Sequence, residues 1–263
     1  MPLARSAVAQ PLVALLILVS ACSESAAVDP SEPDGPILPP FGGTIFIDPD
    51  IITPSDPTTF SGIEAAGRGE RRMFDRRVGW VDLNPYLFVA SYSDSRPVEV
   101  QVNPEFGSEG ASRIEAERYA EVIGRLPVAL RAEVETVWIH QGVNPFGGGN
   151  QNLLIHTGQA ALYVADGILE ETLVHEAVHT SLDSRFAQDS EWLAAQASDP
   201  TFISGYASEF PRREDLAESF VPYLAVRYRA DRISASLRAT IEQTIPNRIA
   251  FFDGLGLNLE PVR

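Results

Sequence analysis

Residues 173–183, LVHEAVHTSLD, contain the pattern His-Glu-x-x-His, which constrains the fold more than any other feature of the chain. On a helix, His175 and His179 are one turn apart and point to the same side. Their ring nitrogens can both reach one zinc ion at about 2.0–2.1 Å, while Glu176 lies beside them, where it can contact a water molecule. The alternative is an ordinary amphipathic helix with two hydrogen-bonded histidines. A third ligand decides between these interpretations.

The same helix does not supply this third ligand. The longer pattern HExxHxxGxxH is absent, because Leu182 and Arg185 occupy its two further positions. Asp183 continues the histidine face, but it lies eight residues from His175. This separation is about 12 Å along the helix axis, too far for both side chains to share one ion. We therefore expect the ligand to come from another part of the chain.

Residues 206–220, YASEFPRREDLAESF, contain the best candidates. Pro211 starts a predicted helix on which Glu214 and Glu218 are four residues apart and share one face. A carboxylate from this helix would complete a His-His-Glu set. Glu218 could then accept the free ring N–H of a histidine ligand, which would define its tautomer and orientation. The alternative is a solvated helix face that carries charges.

The HExxH pattern with a downstream Glu-x-x-x-Glu helix resembles the gluzincin zinc peptidases. Residues 206–220 are most similar to anthrax lethal factor-like catalytic domains, in which a tyrosine shortly precedes a Glu-x-x-Ala-Glu helix. The resemblance covers roughly residues 135–228. It implies that Glu214 is the third zinc ligand, that Glu218 supports the ligands, and that Tyr206 contacts the zinc site.

The resemblance also implies a zincin-like domain that hydrolyses peptide bonds. Glu176 would be the general base, and Tyr206 would donate a hydrogen bond to the developing oxyanion. Three protein ligands leave a fourth position for water, which is typical of catalytic zinc. We expect a peptide or protein substrate, bound as a strand along residues 147–157. The alternatives are a catalytically inactive zincin-fold envelope lipoprotein that binds a partner and, at lower rank, amide hydrolysis on peptidoglycan.

The N-terminus predicts export and a lipid anchor. Arg5 precedes an apolar run at residues 12–19 that is too short to span a bilayer. The following VSAC resembles the lipobox of bacterial lipoproteins and contains Cys22, the only cysteine. We expect residues 1–21 to be a signal peptide and the mature chain to be anchored through Cys22 at the bacterial cell envelope. The alternatives are a simple secretory signal and an uncleaved anchor.

The rest of the chain divides into a tether and a domain. Residues 22–59 are rich in Pro, Asp and Ser, and we expect a disordered tether there, although TIFI at residues 44–47 could form an edge strand. The folded domain is expected at residues 60–263. Its pattern favours an α+β architecture, with a small mixed sheet followed by the HExxH helix and a helical C-terminal half. Strands are predicted at 79–94, 97–106, 135–140 and 150–157, and helices at 111–123, after Gly167, and at 186–198, 212–228 (with Pro222 kinking or ending it) and 231–245.

Charge and the remaining notable residues add smaller constraints. The net charge is −16 and every basic residue is arginine, which argues against a nucleic-acid partner. The basic cluster at residues 68–77 is expected to form a salt-bridged surface. His140 and His156 are expected to be hydrogen-bonded structural residues, of which His156 has the better claim to face the cleft. The three glycines at residues 147–149 predict a flexible turn near the site.

Overall fold

The computed structural model describes residues 37–44 and 48–263. The predicted signal peptide, Cys22 and most of the possible TIFI strand lie outside the described residues. Within these two ranges, no helix combines the length and the apolar character that crossing a membrane requires.

The described chain forms a mixed sheet and a hairpin. The strands are β1 Phe60–Arg68, β2 Arg71–Asp75, β3 Gly79–Leu83, β4 Tyr86–Tyr92, β5 Val98–Val102, β6 Thr136–His140, β7 Gly147–Gly149 and β8 Asn152–His156. The sheet has the order β1-β4-β5-β6-β8-β7, while β2 and β3 pair only with each other. In the sheet, β5, β6 and β8 are parallel, and the other neighbours are antiparallel.

Helices dominate the second half of the chain, so the architecture is α+β, as the sequence predicts. The helices are α1 Glu109–Ile123, α2 Val128–Arg131, α3 Thr157–Asp166, α4 Leu169–Ser181, α5 Asp183–Phe186, α6 Ser190–Ser198, α7 Gly205–Glu209, α8 Asp215–Tyr228, α9 Ala235–Thr244 and α10 Pro246–Gly254.

The main core lies between one face of the sheet and the helices α1 and α4. Side chains alternate between the two faces of a strand, so every second residue of β6 and β8 points into this core. These four residues are fully buried: Val137, Ile139, Leu153 and Ile155. The opposite face at β6 is covered by the β2–β3 hairpin, where the rings of Trp80 and Trp138 meet edge to face with centroids 5.6 Å apart. The sheet therefore has a helical side and a hairpin side.

The structure confirms the elements with the strongest periodic patterns. The predicted strands at 135–140 and 150–157 correspond to β6 and β8, and the predicted helix at 111–123 corresponds to α1. Ser108 caps α1 by accepting a hydrogen bond from the backbone N–H of Ala111. The predicted helix after Gly167 is α4, and Gly167 itself adopts the left-handed conformation that ends α3.

Proline residues divide the predicted strands more finely than expected. Residues 79–94 form β3 and β4, because Pro85 lies between them and cannot donate to a strand ladder. Residues 97–106 form β5 only as far as Val102, since Pro104 begins a short 3₁₀ helix that Asn103 caps.

The C-terminal helices agree in position with the predictions and differ at their ends. The predicted helices 186–198, 212–228 and 231–245 correspond to α6, α8 and α9. Of the two outcomes predicted for Pro222, a kink or the end of the helix about one turn after Glu218, the second is wrong, because α8 continues to Tyr228. Pro222 is buried together with most of α8, so the packing of this helix outweighs the hydrogen bond that proline removes.

The predicted domain boundary at residue 60 is too late. We call residues 48–56 the strap. Within the strap, Ile51 and Ile52 are buried, and the backbone N–H of Ile52 donates to Glu171 Oε1 at 2.8 Å. Asp56 Oδ1 accepts from Arg232 Nη2 at 2.7 Å. The expected disorder therefore does not hold for this part of the tether, because two apolar residues and one ion pair attach it to the helices.

Candidate metal centre

Helix α4 carries the HExxH pattern through the middle of the domain. One side of the helix faces the sheet and another side packs on α8. Four apolar side chains are buried in these contacts: Leu173, Val174, Ala177 and Val178. The 3.6-residue period then leaves His175, Glu176 and His179 on the remaining side, where all three line a cleft. The predictions that this segment is a helix and that its histidine face lines a cleft are confirmed.

Three side-chain atoms from two helices converge at the base of this cleft. His175 Nε2 lies 3.1 Å from His179 Nε2, and Glu214 Oε2 lies 3.2 Å from His179 Nε2 and 3.5 Å from His175 Nε2. A tetrahedral zinc site with bonds of about 2.1 Å has ligand atoms about 3.4 Å apart. The three atoms therefore already have the mutual spacing of a metal's ligands, and together they form a group that could hold one ion.

Glu214 is placed by the start of α8. It is the N-cap residue of this helix, and the next residue, Asp215, is completely buried. Asp215 Oδ2 accepts from Arg248 Nε and from Gln196 Nε2, each at 2.9 Å. Arg248 is also completely buried and bonds Asp199 at 2.9 Å. This buried network connects α8 to α6 and α10 and so determines where the Glu214 carboxylate lies.

The outer nitrogens of both histidines face carboxylates. His175 Nδ1 lies 3.4 Å from Glu218 Oε1, and Glu218 Oε2 accepts from Ser204 Oγ at 2.7 Å. His179 Nδ1 lies 2.7 Å from Asp183 Oδ2. The structure places Glu218 beside His175, a candidate metal ligand, as predicted. Sequence reasoning missed the role of Asp183, although its spacing of four residues from His179 was a usable signal.

The electrostatics of this cluster favour positive charge. Burial opposes a charge on His179, but the carboxylates of Asp183 and Glu214 raise the pKa of its imidazole to about 10. Burial likewise opposes a charge on Glu214, but hydrogen bonds with His175 and His179 hold the pKa of that carboxyl well below its usual range. The carboxylates that raise the pKa of an imidazole stabilise positive charge, and they would stabilise a bound cation in the same way.

The cleft above these atoms, which we call the metal cleft, has a volume of about 610 Å³. Glu176 and Tyr206 both line it. Tyr206 lies on α7, and its ring packs edge to face on Phe210 with centroids 5.2 Å apart. Burial and the nearby Glu214 carboxylate raise the pKa of the Tyr206 phenol, which therefore stays a hydrogen-bond donor at neutral pH. The spacing of eight residues from Tyr206 to Glu214 does not prevent the two side chains from lining one cleft.

The three glycines form an edge strand rather than a flexible turn. β7 pairs with β8 and closes the sheet next to α4. A Cβ atom added to Gly148 would lie 1.8 Å from the carbonyl oxygen of Glu176. The backbone N–H of Gly149 donates to Thr180 Oγ1 at 2.8 Å. The predicted substrate-binding edge at residues 147–157 is therefore β7 alone, because β8 is an inner strand.

The two histidines of the sheet lie outside the cleft. His140 and His156 are fully buried and stack with ring centroids 5.5 Å apart. His140 Nδ1 is 2.9 Å from Asn103 Nδ2, and His156 Nδ1 is 2.9 Å from the carbonyl oxygen of Gln141. Both are structural residues, as expected, but the expectation that His156 faces the cleft is wrong. As the last residue of β8, it points to the hairpin side of the sheet.

The basic cluster at residues 68–77 is mainly a salt-bridged surface, as expected. Arg71 bonds Glu99 at 2.8 Å, and Arg77 bonds Asp75 at 2.6 Å. Arg76 differs from these, because it lines the metal cleft and its guanidinium donates to the carbonyl oxygen of Phe146 at 2.5 Å. No sequence signal distinguished it from the neighbouring arginines.

Comparisons with known protein families, with curated proteins and with solved structures find no match for this chain. The similarity to gluzincins is therefore carried by the motif residues themselves. Two helices bring five of these residues to one cleft or to its immediate support: His175, Glu176, His179, Glu214 and Glu218.

Proposed function

We propose that this protein is a zinc-dependent peptidase with a zincin-like domain, anchored as a lipoprotein at the bacterial cell envelope. One observation carries the proposal. His175 Nε2, His179 Nε2 and Glu214 Oε2 lie 3.1 to 3.5 Å from one another at the base of an open cleft. These separations are close to those between the ligand atoms of one tetrahedral zinc ion, which supports a shared cation at this position.

The donor set fits a catalytic zinc ion. Two imidazoles and one carboxylate are a ligand combination of zinc hydrolases, and three protein ligands leave one position open to the cleft. The chemistry that zinc supplies when bound is the activation of water and the polarisation of a carbonyl group. Asp183 and Glu218 would hold the rings of His179 and His175 with their outer N–H groups directed away from the ion.

Two side chains of the cleft would move or hold protons during peptide hydrolysis. Glu176 follows His175 on α4 and lines the same cleft, so its carboxylate can accept the proton of the attacking water and pass it to the leaving amine. Tyr206 keeps its phenolic proton at neutral pH and can donate it in a hydrogen bond to the developing oxyanion.

The edge strand β7 offers a place for the substrate backbone. It borders the cleft, and its outer side has no further strand in the described sheet. A peptide that adds to this edge would gain main-chain hydrogen bonds without strong sequence selection. We therefore infer that the substrate is an extended segment of a peptide or protein.

The competing function is a zincin-fold lipoprotein that binds zinc or a partner without catalysis. The carboxylate partners of His175 and His179 would serve a structural metal equally well. Glu176 distinguishes the two functions, because a general base has no task in a binding module.

The test combines metal analysis with one substitution. The purified protein should contain about one zinc ion per chain, as expected for a single three-ligand site. Glu176→Gln should keep the zinc and lower the cleavage of casein by about 10²- to 10⁴-fold. Glu191→Gln, an exposed change on α6, is the matched control and should behave as the wild type. Zinc binding combined with cleavage that is absent, or that does not depend on Glu176, would favour the binding module.

A further inference from the structure

A second groove lies on the hairpin side of the sheet, next to β7. Its volume is about 290 Å³. The β2–β3 hairpin contributes Phe74 and Trp80, and the sheet contributes Trp138 and Leu154. Asn150 and Asn152 complete the border. Nothing in the proposed hydrolysis uses this groove.

The groove has a preformed aromatic wall. The ring of Trp80 meets Phe74 and Trp138 edge to face, with centroids 5.5 Å and 5.6 Å apart. Despite these contacts, Trp80 remains 54% exposed. Among the described residues that line the groove, Arg76 carries the only charge. A rigid aromatic surface that remains half open to solvent is suited to an apolar side chain of a partner molecule.

The groove borders the metal cleft. Four residues line both cavities, namely Arg76, Gly147, Gly148 and Gly149. The shared strand β7 consists of glycines only, so no side chain of this strand lies between the two cavities. A peptide strand paired with β7 would present successive side chains to opposite faces of the sheet. One set of these side chains would face the metal cleft, and the alternate set would face the aromatic groove.

We propose that the aromatic groove is a specificity site that receives a large apolar or aromatic side chain of a peptide bound along β7. This inference rests on the proposed function, because it takes the occupant of the metal cleft to be a peptide. The bound side chain would lie at an odd number of positions from the residues that face the metal, since sheet faces alternate. Arg76 donates to the Phe146 carbonyl and so holds the hairpin against the start of β7, at the junction of the two cavities.

The first test uses short peptides of Ala, Ser and Gly in which a single Phe is moved one position at a time. The wild type should prefer the peptide in which Phe lies at one particular distance from the cleaved bond. It should cleave this peptide about tenfold faster than a peptide without Phe, as burial of a phenyl ring predicts. Trp80→Ala should reduce this ratio to near one. Val78→Ala, an exposed change on the same hairpin, should keep it. Equal ratios in the wild type and Trp80→Ala would overturn the inference and leave the proposed function intact.

The second test does not need cleavage and leaves Trp80 in place. Binding of each Phe peptide and of its Ala counterpart to Glu176→Gln is followed by tryptophan fluorescence, and the tightest-binding Phe peptide is compared with its counterpart. The Phe peptide should bind about tenfold more tightly. Equal affinities would overturn the inference even if Trp80→Ala fails to fold. If no Glu176-dependent cleavage occurs and the Phe peptide still binds more tightly, the proposed function fails and the groove is supported as a peptide-binding site.

Discussion

His179 Nδ1 lies 2.7 Å from Asp183 Oδ2, so the residue that follows the HExxH pattern by one turn controls the orientation of its second histidine. α4 ends at Ser181, and Asp183 begins α5. Asp183 follows His179 by four residues, about one helical turn, and its carboxylate meets the outer ring nitrogen of His179. Asp183 is thus a positioning residue for the candidate metal centre.

Removing this contact should weaken metal binding. We expect Asp183→Ala to lower zinc affinity by about 10- to 100-fold, and Asp183→Asn to lower it less, because the amide oxygen can still accept the His179 N–H. Competition with a chromogenic chelator measures the affinity. Asp166→Asn, an exposed change on α3, should have no effect. An unchanged affinity in Asp183→Ala would show that the contact does not position the ring.

Tyr206→Phe should impair catalysis without releasing the metal. The phenyl ring keeps its packing on Phe210, while the proposed hydrogen-bond donor to the oxyanion is lost. We expect kcat to fall by about 10²-fold, with little change in KM and in zinc content. Tyr228→Phe is the control, because its hydroxyl faces Tyr223. A large rise in KM with unchanged kcat would instead assign Tyr206 to substrate binding.

Gly148→Ala should separate β7 from α4. The added Cβ would lie 1.8 Å from the backbone oxygen of Glu176, so the strand or the helix must shift. We expect a loss of about 1–3 kcal/mol in the free energy of unfolding and a clear fall in peptide hydrolysis.

The control for this change is Gly110→Ala in α1, where an added Cβ meets no atom within 4 Å. It should stabilise the protein by about 0.5–1 kcal/mol, because alanine loses less conformational entropy in a helix. Urea unfolding and kcat/KM measure both variants. Wild-type values for Gly148→Ala would mean that β7 does not depend on close contact with α4.

Glu171 predicts a pH dependence of stability that is separate from catalysis. Burial raises the pKa of its carboxyl to about 7, well above the usual value of about 4.5. Between these values the folded protein holds a proton that the unfolded chain has lost, so stability falls as the pH rises through this window, by about 3 kcal/mol at most. The substituted side chain in Glu171→Gln stays neutral and can still accept from the backbone N–H of Ile52. The free energy of unfolding of this variant should therefore lack the decrease with pH that Glu171 causes.

Urea unfolding at pH 5 and pH 8 tests this prediction. The gain of Glu171→Gln over the wild type should be larger at pH 8 than at pH 5, since only the wild type must bury a charge at the higher pH. The exposed change Glu133→Gln should show equal differences at the two values. If the free energy of unfolding changed equally between pH 5 and pH 8 in the wild type and in Glu171→Gln, Glu171 would not be buried as a neutral acid.

The sequence predicted those parts of the candidate metal centre whose side-chain positions follow from helical periodicity. His175 and His179, and likewise Glu214 and Glu218, are four residues apart, so each pair shares a helix face whatever the rest of the fold does. The helix α3 was missed for the corresponding reason. No side chain caps its N-terminus, it follows β8 without a connecting loop, and Ala160 is its only buried residue.

Tertiary contacts determined what the sequence could not indicate. Arg76 reaches the metal cleft only because the β2–β3 hairpin folds across the sheet, and its neighbours Arg71 and Arg77 pair with acids instead. β7 is too short and too poor in side chains to show a strand pattern, and its position depends on the close approach of Gly148 to α4.

The strap has a practical consequence for anyone who wishes to express the domain alone. Composition suggests that a recombinant fragment can start at Phe60, but such a fragment would leave the buried Glu171 without its hydrogen-bond donor, the Ile52 amide. It would also uncover the apolar surface that Ile51 and Ile52 now protect. Fragments should therefore begin before Asp48, so that the first turn of α4 keeps its cover.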